Sequence, residues 1–309
     1  YWAGIWAEER VHNEDAKWIE REIKKLNQRN NPQNEGNEEL HTCAITLSEL
    51  KKVIRKIQNW KAPGIDGLHN FWFKQFTKTH KPLVRLFNEL LNDPEKCPEF
   101  LTEGITYLKP KSKEDLKNPA NYRPIACLPT TYKLITACIA EKIQTQCGDL
   151  LAEQQKGCRR HTYGCKEQLI IDDTVLQQAK KGNRNLYTCY IDYQKAFDSV
   201  PHSWLLKSLE VHGIQPKIVN FLKGIMKKWT TKLHVRTEEV SIRSEKIKIK
   251  RGIFQGDSLS ALWFCIAINP LSGMLDSSSY GFKIKADGES YTLSHLMYMD
   301  DIKLYAGSK

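Results

Sequence analysis

The 309-residue sequence lacks several features that would each define a class of protein. No run approaches the ~20 consecutive apolar residues of a membrane-spanning helix, so we expect no membrane partner. A Gly-rich phosphate fingerprint, an internal repeat and a low-complexity tract are also missing, which argues against a Rossmann domain or a repeat array. The N-terminus, YWAG at 1–4, has neither Met nor a signal-peptide pattern, and we expect the chain to be an excerpt from a longer polypeptide.

Paired cysteines are also missing. The nine cysteines are odd in number and contain no Cys-x-x-Cys pair, which favours reduced, mostly buried thiols in an intracellular protein. Cys138, Cys189 and Cys265 sit inside apolar patterns, and we expect all three to be buried. Two cysteines and a histidine fall within 158–165, but no fourth ligand has suitable spacing, so zinc is the minor alternative there.

Positive charge is abundant. With 47 Lys and Arg against 36 Asp and Glu, the net charge is +11, which indicates a polyanionic partner and nucleic acid first. The alternative is a charge that serves solubility alone. The apolar content of 40% is enough for a core of two subdomains or one large domain.

Helical and strand patterns are interleaved along the chain. Helices are predicted around 14–29, 46–60, 70–76, 82–91, 134–143, 165–181, 201–213, 216–229 and from 259 onward. The second of these begins with a capping box of Thr46 and Glu49, and its apolar stripe ends at Trp60. Strands are predicted at 105–108, 186–191, 232–236 and 241–251. Residues 30–37 are the best linker candidate, because they break the first helix with Asn, Pro and Gly. The pattern predicts an α+β or mixed α/β fold.

Residues 296–305 (LMYMDDIKLY) predict a β-hairpin with Asp300 and Asp301 at its tip, because apolar residues alternate on both sides of the two acids. Asp is a poor strand former and adjacent like charges repel, so a structural hairpin would rarely carry this pair. A divalent cation would reverse that repulsion. An ordinary acidic turn is the alternative.

A third carboxylate stands at the end of another strand. Asp192 ends the predicted strand at 186–191, and neighbouring strands of one sheet could bring it beside the hairpin tip. Two Mg²⁺ ions about 3.5–4 Å apart, held by three carboxylates, would clamp the attacking and leaving oxygens of a phosphoryl transfer. Together with the basic charge, this arrangement indicates nucleotidyl transfer.

Six stretches then resemble, in order, motifs of the reverse transcriptases of non-long-terminal-repeat retrotransposons. They are KAPGIDG at 61–67, NYRPI at 121–125, QKGCR at 155–159, DYQKAFD at 192–198, RGIFQGDSLS at 251–260 and YMDD at 298–301. The first sixty residues look like the region just upstream in the site-specific, LINE-type elements.

The resemblance implies an α+β right-hand polymerase with a catalytic hairpin in the palm sheet and no thumb in this chain. It implies an N-terminal extension at 1–45, fingers at 46–185 and a palm at 186–309 that ends after the hairpin. Asp192, Asp300 and Asp301 would be the catalytic carboxylates, holding two Mg²⁺ ions or Mn²⁺ in their place. Ile191 and Tyr193 would lie at the first metal, Tyr193 through its backbone carbonyl and also beside the nucleotide.

The resemblance also assigns the nucleotide site. Lys111 and Arg123 would grip the incoming triphosphate, as a point charge and a bidentate fork suit phosphate oxygens. Phe197 would lie under the deoxyribose and exclude a 2′-hydroxyl, while Gln255 and Gly256 would pack at the nucleotide and the template base. The structural alternatives are a surface charge pair, a core aromatic and a simple turn glycine.

The implied function is an RNA-directed DNA polymerase that copies element RNA into cDNA, primed at a nicked DNA target. Its partners would be template RNA, primer or target DNA and deoxynucleoside triphosphates, and its place would be intracellular, in the nucleus during integration. Two residues depart from the family pattern, Ser258 where Pro is usual and Cys158 where Phe is usual. The alternatives are a truncated or inactive copy that only binds RNA, and a polymerase that makes RNA, against which Phe197 argues.

Overall fold

The computed structural model describes residues 1–29, 43–112, 114–146, 151–236, 241–286 and 288–308. Within these ranges the chain forms eleven α-helices and ten β-strands. The helices are α1 (Trp2–Trp6), α2 (Lys17–Arg29), α3 (Leu47–Lys56), α4 (Asn70–Gln75), α5 (His80–Asn92), α6 (Thr130–Gln146), α7 (Cys165–Lys181), α8 (Ala196–Ser199), α9 (His202–Val211), α10 (Pro216–Met226) and α11 (Ser260–Ser277). The strands are β1 (Glu103–Pro110), β2 (Tyr122–Cys127), β3 (Tyr187–Ile191), β4 (Thr230–Arg236), β5 (Ser241–Arg243), β6 (Ile247–Lys248), β7 (Phe282–Ala286), β8 (Glu289–Leu293), β9 (His295–Tyr298) and β10 (Asp301–Ala306).

The chain divides into two compact units, each assembled from two stretches of sequence. The first unit contains residues 1–148 and 197–260, and the second contains 149–196 and 261–309. The predicted N-terminal extension, fingers and palm are a functional division, which stays a prediction. No helix in the described part of the chain is both long and apolar enough to cross a membrane.

The first unit is built on a mixed five-stranded sheet. The order is β2-β1-β4-β5, with β6 also pairing with β4; β1 and β4 run parallel, and the other pairs are antiparallel. Its helices supply a core that includes Leu50, Phe87, Ile139 and Phe221, all buried. The mixed sheet with helices confirms the coarse prediction of a mixed α and β fold.

The first turn of α3 shows how closely the sequence determines local structure. Thr46 and Glu49 form the predicted capping box: the Thr46 hydroxyl accepts from the Glu49 backbone N–H, and the Glu49 carboxylate accepts from the Thr46 N–H at 2.7 Å. The end of the helix was predicted wrongly. Ile57 is extended, so the helix stops at Lys56, and Trp60 lies exposed in a loop instead of on the apolar stripe.

The second unit carries a three-stranded antiparallel sheet in the order β3-β10-β9 and a separate β7-β8 hairpin. Helix α7, which ends before Gly182 as predicted, contributes Val175 and Ala179 to a core cluster with Phe282, Leu296 and Tyr305. This small sheet holds the predicted hairpin and the strand that precedes Asp192.

Two further predictions were wrong. The strand expected over 241–251 is split into β5 and β6 at Ser244. The backbone N–H of Ser244 still donates to the Leu233 carbonyl at 2.9 Å, but the Leu233 N–H donates to the Ser244 hydroxyl at 2.9 Å and not to a backbone carbonyl. Cys138 and Cys265 are buried as expected, but Cys189 is exposed, since β3 has exposed side chains on both of its faces. The linker predicted at 30–37 lies outside the described residues.

Candidate active site

The two adjacent acids, Asp300 and Asp301, occupy different positions at the tip of the β9-β10 hairpin. Tyr298 pairs with Asp301, so Met299 and Asp300 form a two-residue turn and Asp301 begins β10. Met299 has φ of 55°, a left-handed conformation that is uncommon for a residue with a side chain. The predicted hairpin is therefore confirmed, and its turn requires support from elsewhere in the unit.

That support comes from Gln155, a buried residue that the sequence analysis did not single out. Its side-chain Oε1 accepts from the backbone N–H of Met299 at 2.8 Å and of Gly157 at 2.9 Å, while Nε2 donates to the Met299 carbonyl at 3.2 Å. The neighbouring backbone pairs with Met297, whose N–H donates to the Gln154 carbonyl at 2.9 Å. The only signal in the sequence that pointed to Gln155 was its place in the motif QKGCR at 155–159, and that motif does not predict a contact with the hairpin.

Gly157 lets this segment lie directly against the turn. A Cβ at Gly157 would stand 2.9 Å from the Met299 backbone nitrogen and 2.9 Å from Gln155 Oε1. Real Cβ atoms do not approach backbone nitrogen so closely, so a side chain at this position would displace the hairpin turn. Gln155 and Gly157 together fix the backbone that bears Asp300.

Asp192 reaches the same place through strand register. Ile191 of β3 pairs with Ile302 of β10, so the next residues outward, Asp192 and Asp301, lie opposite each other across the two strands. Residues opposite each other on antiparallel strands have Cα atoms about 4.5–5.5 Å apart. Burial, and then the charges of Asp301 and Asp192, raise the pKa of the Asp300 carboxyl. The structure therefore brings the three predicted carboxylates together in one unit.

The chemistry of this donor set suits a hard divalent cation. Within the described ranges, no three His, Cys, Asp or Glu side chains stand close enough together to enclose a metal ion, and this includes the stretch 158–165. Mg²⁺ needs no such cage, because it is held by one or two carboxylates together with water and substrate phosphates. Burial is the main cause of the raised pKa of Asp300, and the repulsion from Asp301 and Asp192 that adds to it is the kind that a cation between the carboxylates would relieve.

The two backbone groups predicted at the first metal flank Asp192. Ile191 is the last residue of β3, and Tyr193 follows Asp192 with its side chain exposed. Both residues are thus next to the carboxylates in the same unit, and their contact with a metal stays a prediction.

Lys111 and Arg123 lie in the first unit, on one exposed face of the β1-β2 hairpin. Lys109 pairs with Arg123, and the Lys111 N–H donates to the Asn121 carbonyl at 2.8 Å, so these three cationic side chains share a face. All three are exposed. The hairpin thus offers a group of cations suited to phosphate.

The opposite face of the same hairpin adjoins Gln255. Pro124 and Ala126 alternate with Arg123 along β2 and line one small pocket together with Gln255, and the backbone N–H of Ala126 donates to the Gln255 carbonyl at 2.8 Å. Gln255 also donates through Nε2 to Asp198 Oδ2 at 2.9 Å. The structure therefore places Gln255 and the cationic pair within one unit but on different faces of the strands.

Asp198 is a second site residue that was not predicted, because in the sequence it is only the last residue of the motif DYQKAFD. It is only 3% exposed, and its other oxygen accepts from Trp6 Nε1 at 3.2 Å. Trp6 stacks on Trp2, and its carbonyl accepts the Lys250 N–H at 2.7 Å. The N-terminal helix is thereby tied to the residue that holds Gln255.

Gly256 and Phe197 complete the predicted set. Gly256 has φ of 125°, and a Cβ there would lie 2.6 Å from the Ala126 carbonyl oxygen, so close approach of two backbones requires the glycine. Phe197 is half-buried, and its carbonyl accepts the Ile253 N–H at 2.8 Å. Their contacts with a nucleotide stay predictions.

Comparison with known proteins identifies the family. The family model described as reverse transcriptase (RNA-dependent DNA polymerase) matches residues 109–309, well over half of the chain. The chain belongs to the reverse transcriptase family. This confirms the resemblance stated from the motifs, and the match contains every candidate site residue from Lys111 to Asp301.

The relatives of this reverse transcriptase domain are proteins of mobile elements. It is 31% identical over 224 residues to the retrovirus-related Pol polyprotein from type-1 retrotransposable element R2 of Popillia japonica. This alignment covers 72% of this chain and 30% of the relative. It is 27% identical over 268 residues to the transposon TX1 uncharacterized 149 kDa protein of Xenopus laevis, covering 85% and 19%. The RNA-directed DNA polymerase from mobile element jockey of Drosophila funebris is 28% identical over 231 residues, covering 72% and 24%. The chain thus spans less than a third of the length of these relatives.

Proposed function

We propose that the chain is the RNA-directed DNA polymerase core of a non-long-terminal-repeat retrotransposon, which copies element RNA into cDNA from a primer at a nicked DNA target. The observation that carries the proposal is the grouping of Asp192, Asp300 and Asp301 at one end of a small sheet, within the reverse transcriptase match. The relatives named as polymerases of mobile elements support the same reading.

The proposed chemistry is assigned to these carboxylates. Mg²⁺ ions, or Mn²⁺, held by Asp192, Asp300 and Asp301 with the backbone of Ile191 and Tyr193 would stabilise the charge that develops on the attacking and leaving oxygens. The protein's own contribution is position. Register places Asp192 opposite Asp301, and the Gln155 side chain holds the turn that presents Asp300.

The proposed nucleotide contacts come from the first unit. Lys111 and Arg123 bind the triphosphate, Phe197 packs against the deoxyribose, and Gln255 with Gly256 lies at the nucleotide and template base. The buried carboxylate of Asp198 supports this arrangement, since it fixes the amide of Gln255 at 2.9 Å. Template RNA, primer or target DNA and deoxynucleoside triphosphates are the proposed partners, consistent with the net charge of +11. The nucleus is the proposed place of integration.

Substitution of Asp300 by Asn in the full-length protein tests this proposal. We expect primer extension on an RNA template to fall to background, because the carboxylate serves cation binding, while RNA binding and thermal stability change little. Asp173→Asn is the matched control, since Asp173 is an exposed acid on α7 of the same unit.

Extension at the normal rate by Asp300→Asn would refute the assignment. Wild-type protein that binds RNA but extends no primer would instead identify an inactive copy that acts only as an RNA-binding fold.

A further inference from the structure

A chain of aromatic rings lies on the surface of the first unit, around the loop that joins α3 to α4. We call it the aromatic ladder, and its members are Trp60, His69, Phe71, Trp72 and Phe76. Trp60 stacks on Phe71 at 4.8 Å between ring centroids, and Trp72 stacks on Phe76 at 5.6 Å. Phe71 and Trp72 link the two stacks edge to face at 5.2 Å, and His69 lies 5.6 Å from Trp60.

Burial in the core does not account for the position of these rings. Trp60 is 65% exposed, Trp72 42% and Phe76 56%, whereas Phe73 of the same short helix is buried in the core. Phe73 therefore anchors α4, and its exposed neighbours add nothing to that burial. Contiguous exposed apolar side chains of this kind mark interaction sites.

The surrounding charge is positive. Between residues 58 and 81 the sequence has four lysines, at 61, 74, 78 and 81, and a single acid, Asp66. Asp66 accepts the Leu68 N–H at 3.2 Å within the loop, and burial raises the pKa of its carboxyl. The ladder thus combines exposed rings with cations, which favours an anionic ligand that carries flat apolar groups.

The ladder is also held in place before any ligand binds. The Asn70 side chain donates to the Gln58 carbonyl at 2.7 Å, and Thr130 donates through its hydroxyl to the Leu68 carbonyl at 2.7 Å. Gly64 lies so close to the backbone that a Cβ would stand 2.2 Å from the Pro129 nitrogen. A fixed surface loses little entropy on binding, which is the property expected of a recognition platform.

We propose that the aromatic ladder, with Lys61, Lys74 and Lys78, is a binding platform for single-stranded RNA. Bases stack on exposed aromatic rings without regard to sequence, and lysines beside them contact the phosphates. A second copy of this chain is a poor occupant, because its own net charge of +11 would oppose the lysines. That the bound nucleic acid is RNA rests on the proposed function. That it is single-stranded follows from the exposed rings, because only unpaired bases can stack on them.

The first test measures binding of a short fluorescent oligouridylate to wild-type protein, Trp60→Ala and the double variant Trp72→Ala/Phe76→Ala, without nucleotides present. Each lost stacking contact should weaken binding by about 5- to 150-fold. Phe100→Ala is the matched control, because Phe100 is an exposed phenylalanine of the same unit outside the ladder. Its affinity should equal that of wild-type protein, and all variants should keep the wild-type melting temperature.

Three results would overturn the proposal. They are unchanged affinity in the folded ladder variants, an equal loss in Phe100→Ala, or an equal loss for double-stranded RNA, whose bases are not available for stacking. Lys74→Glu with Lys78→Glu provides a second route if a ring variant fails to fold, and it should reduce the salt dependence of binding.

The platform and the polymerase can fail separately. Asp300→Asn should bind the oligouridylate as wild-type protein does, so a chain without polymerase activity still reports on the ladder. A sedimentation experiment in which ladder variants dissociate a dimer while RNA affinity stays unchanged would assign the surface to self-association and refute the RNA platform.

Discussion

Replacement of Gln155 by Ala should damage the proposed active site without touching any predicted ligand of substrate or metal. The variant removes the acceptor for the Met299 and Gly157 N–H groups and the donor to the Met299 carbonyl. A buried donor left without a partner costs about 1–3 kcal/mol. The variant leaves two such donors, and water entering the vacated space would satisfy them in part. We therefore expect the free energy of unfolding to fall by about 2–4 kcal/mol.

The catalytic effect should be larger than the loss of stability suggests. Met299 is held at a positive φ, and without its clamp the turn can relax and move Asp300 away from Asp192 and Asp301. A displacement of about 1 Å at a reacting centre can lower the rate by about 100-fold. We therefore expect kcat for primer extension to fall while the affinity for RNA is kept.

Urea unfolding and steady-state primer extension measure the two effects. Gln177→Ala is the control, because Gln177 is an exposed glutamine on α7 of the same unit. Gln155→Glu keeps an acceptor for both N–H groups but loses the donor to the Met299 carbonyl, so it should fall between wild-type protein and Gln155→Ala in stability. Wild-type stability and rate in folded Gln155→Ala would show that the clamp does not position the turn.

Two other predictions concern Phe197 and Asp257. Phe197→Val should raise ribonucleotide use relative to deoxynucleotide use in primer extension. If the ring served only core packing, the variant would instead be less stable and its ratio of ribonucleotide to deoxynucleotide use would be unchanged. Burial raises the pKa of the Asp257 carboxyl from 3.8 to about 6, so the folded state binds this proton more tightly than the unfolded chain does. Stability should therefore fall as pH rises from about 4 to about 6 and contribute no slope above that window. Asp257→Asn should remove this contribution in urea unfolding at several pH values, and a slope that persists unchanged would contradict the assignment.

Local patterns were enough to predict several elements of this fold. The capping box at Thr46 and Glu49, the end of α7 at Gly182 and the hairpin around Asp300 depend on residues within a few positions of one another. Asp192 could be linked to the hairpin because neighbouring strands of one sheet can bring their ends together, and β3 does pair with β10.

What the sequence could not provide were partners far apart in the chain. The contact of Trp6 with Asp198 and that of Gln155 with Met299 each join residues more than a hundred positions apart, and neither leaves a periodic pattern. The exposure of Trp60 and Cys189 was missed for a related reason. An apolar residue in a regular pattern looks buried until the fold shows where the helix stops or which strand is exposed on both faces.

The N-terminal helix has a practical consequence for how this domain is delimited. The family match begins at residue 109, yet Trp2 and Trp6 are buried in the first unit, and Glu8 forms an ion pair with Arg251 at 3.2 Å. A boundary drawn at the start of the match would cut through a folded core and expose Asp198 to water. The folded unit therefore extends beyond the family match, and loss of activity after trimming would reflect the lost support for Gln255, with every proposed catalytic acid still present.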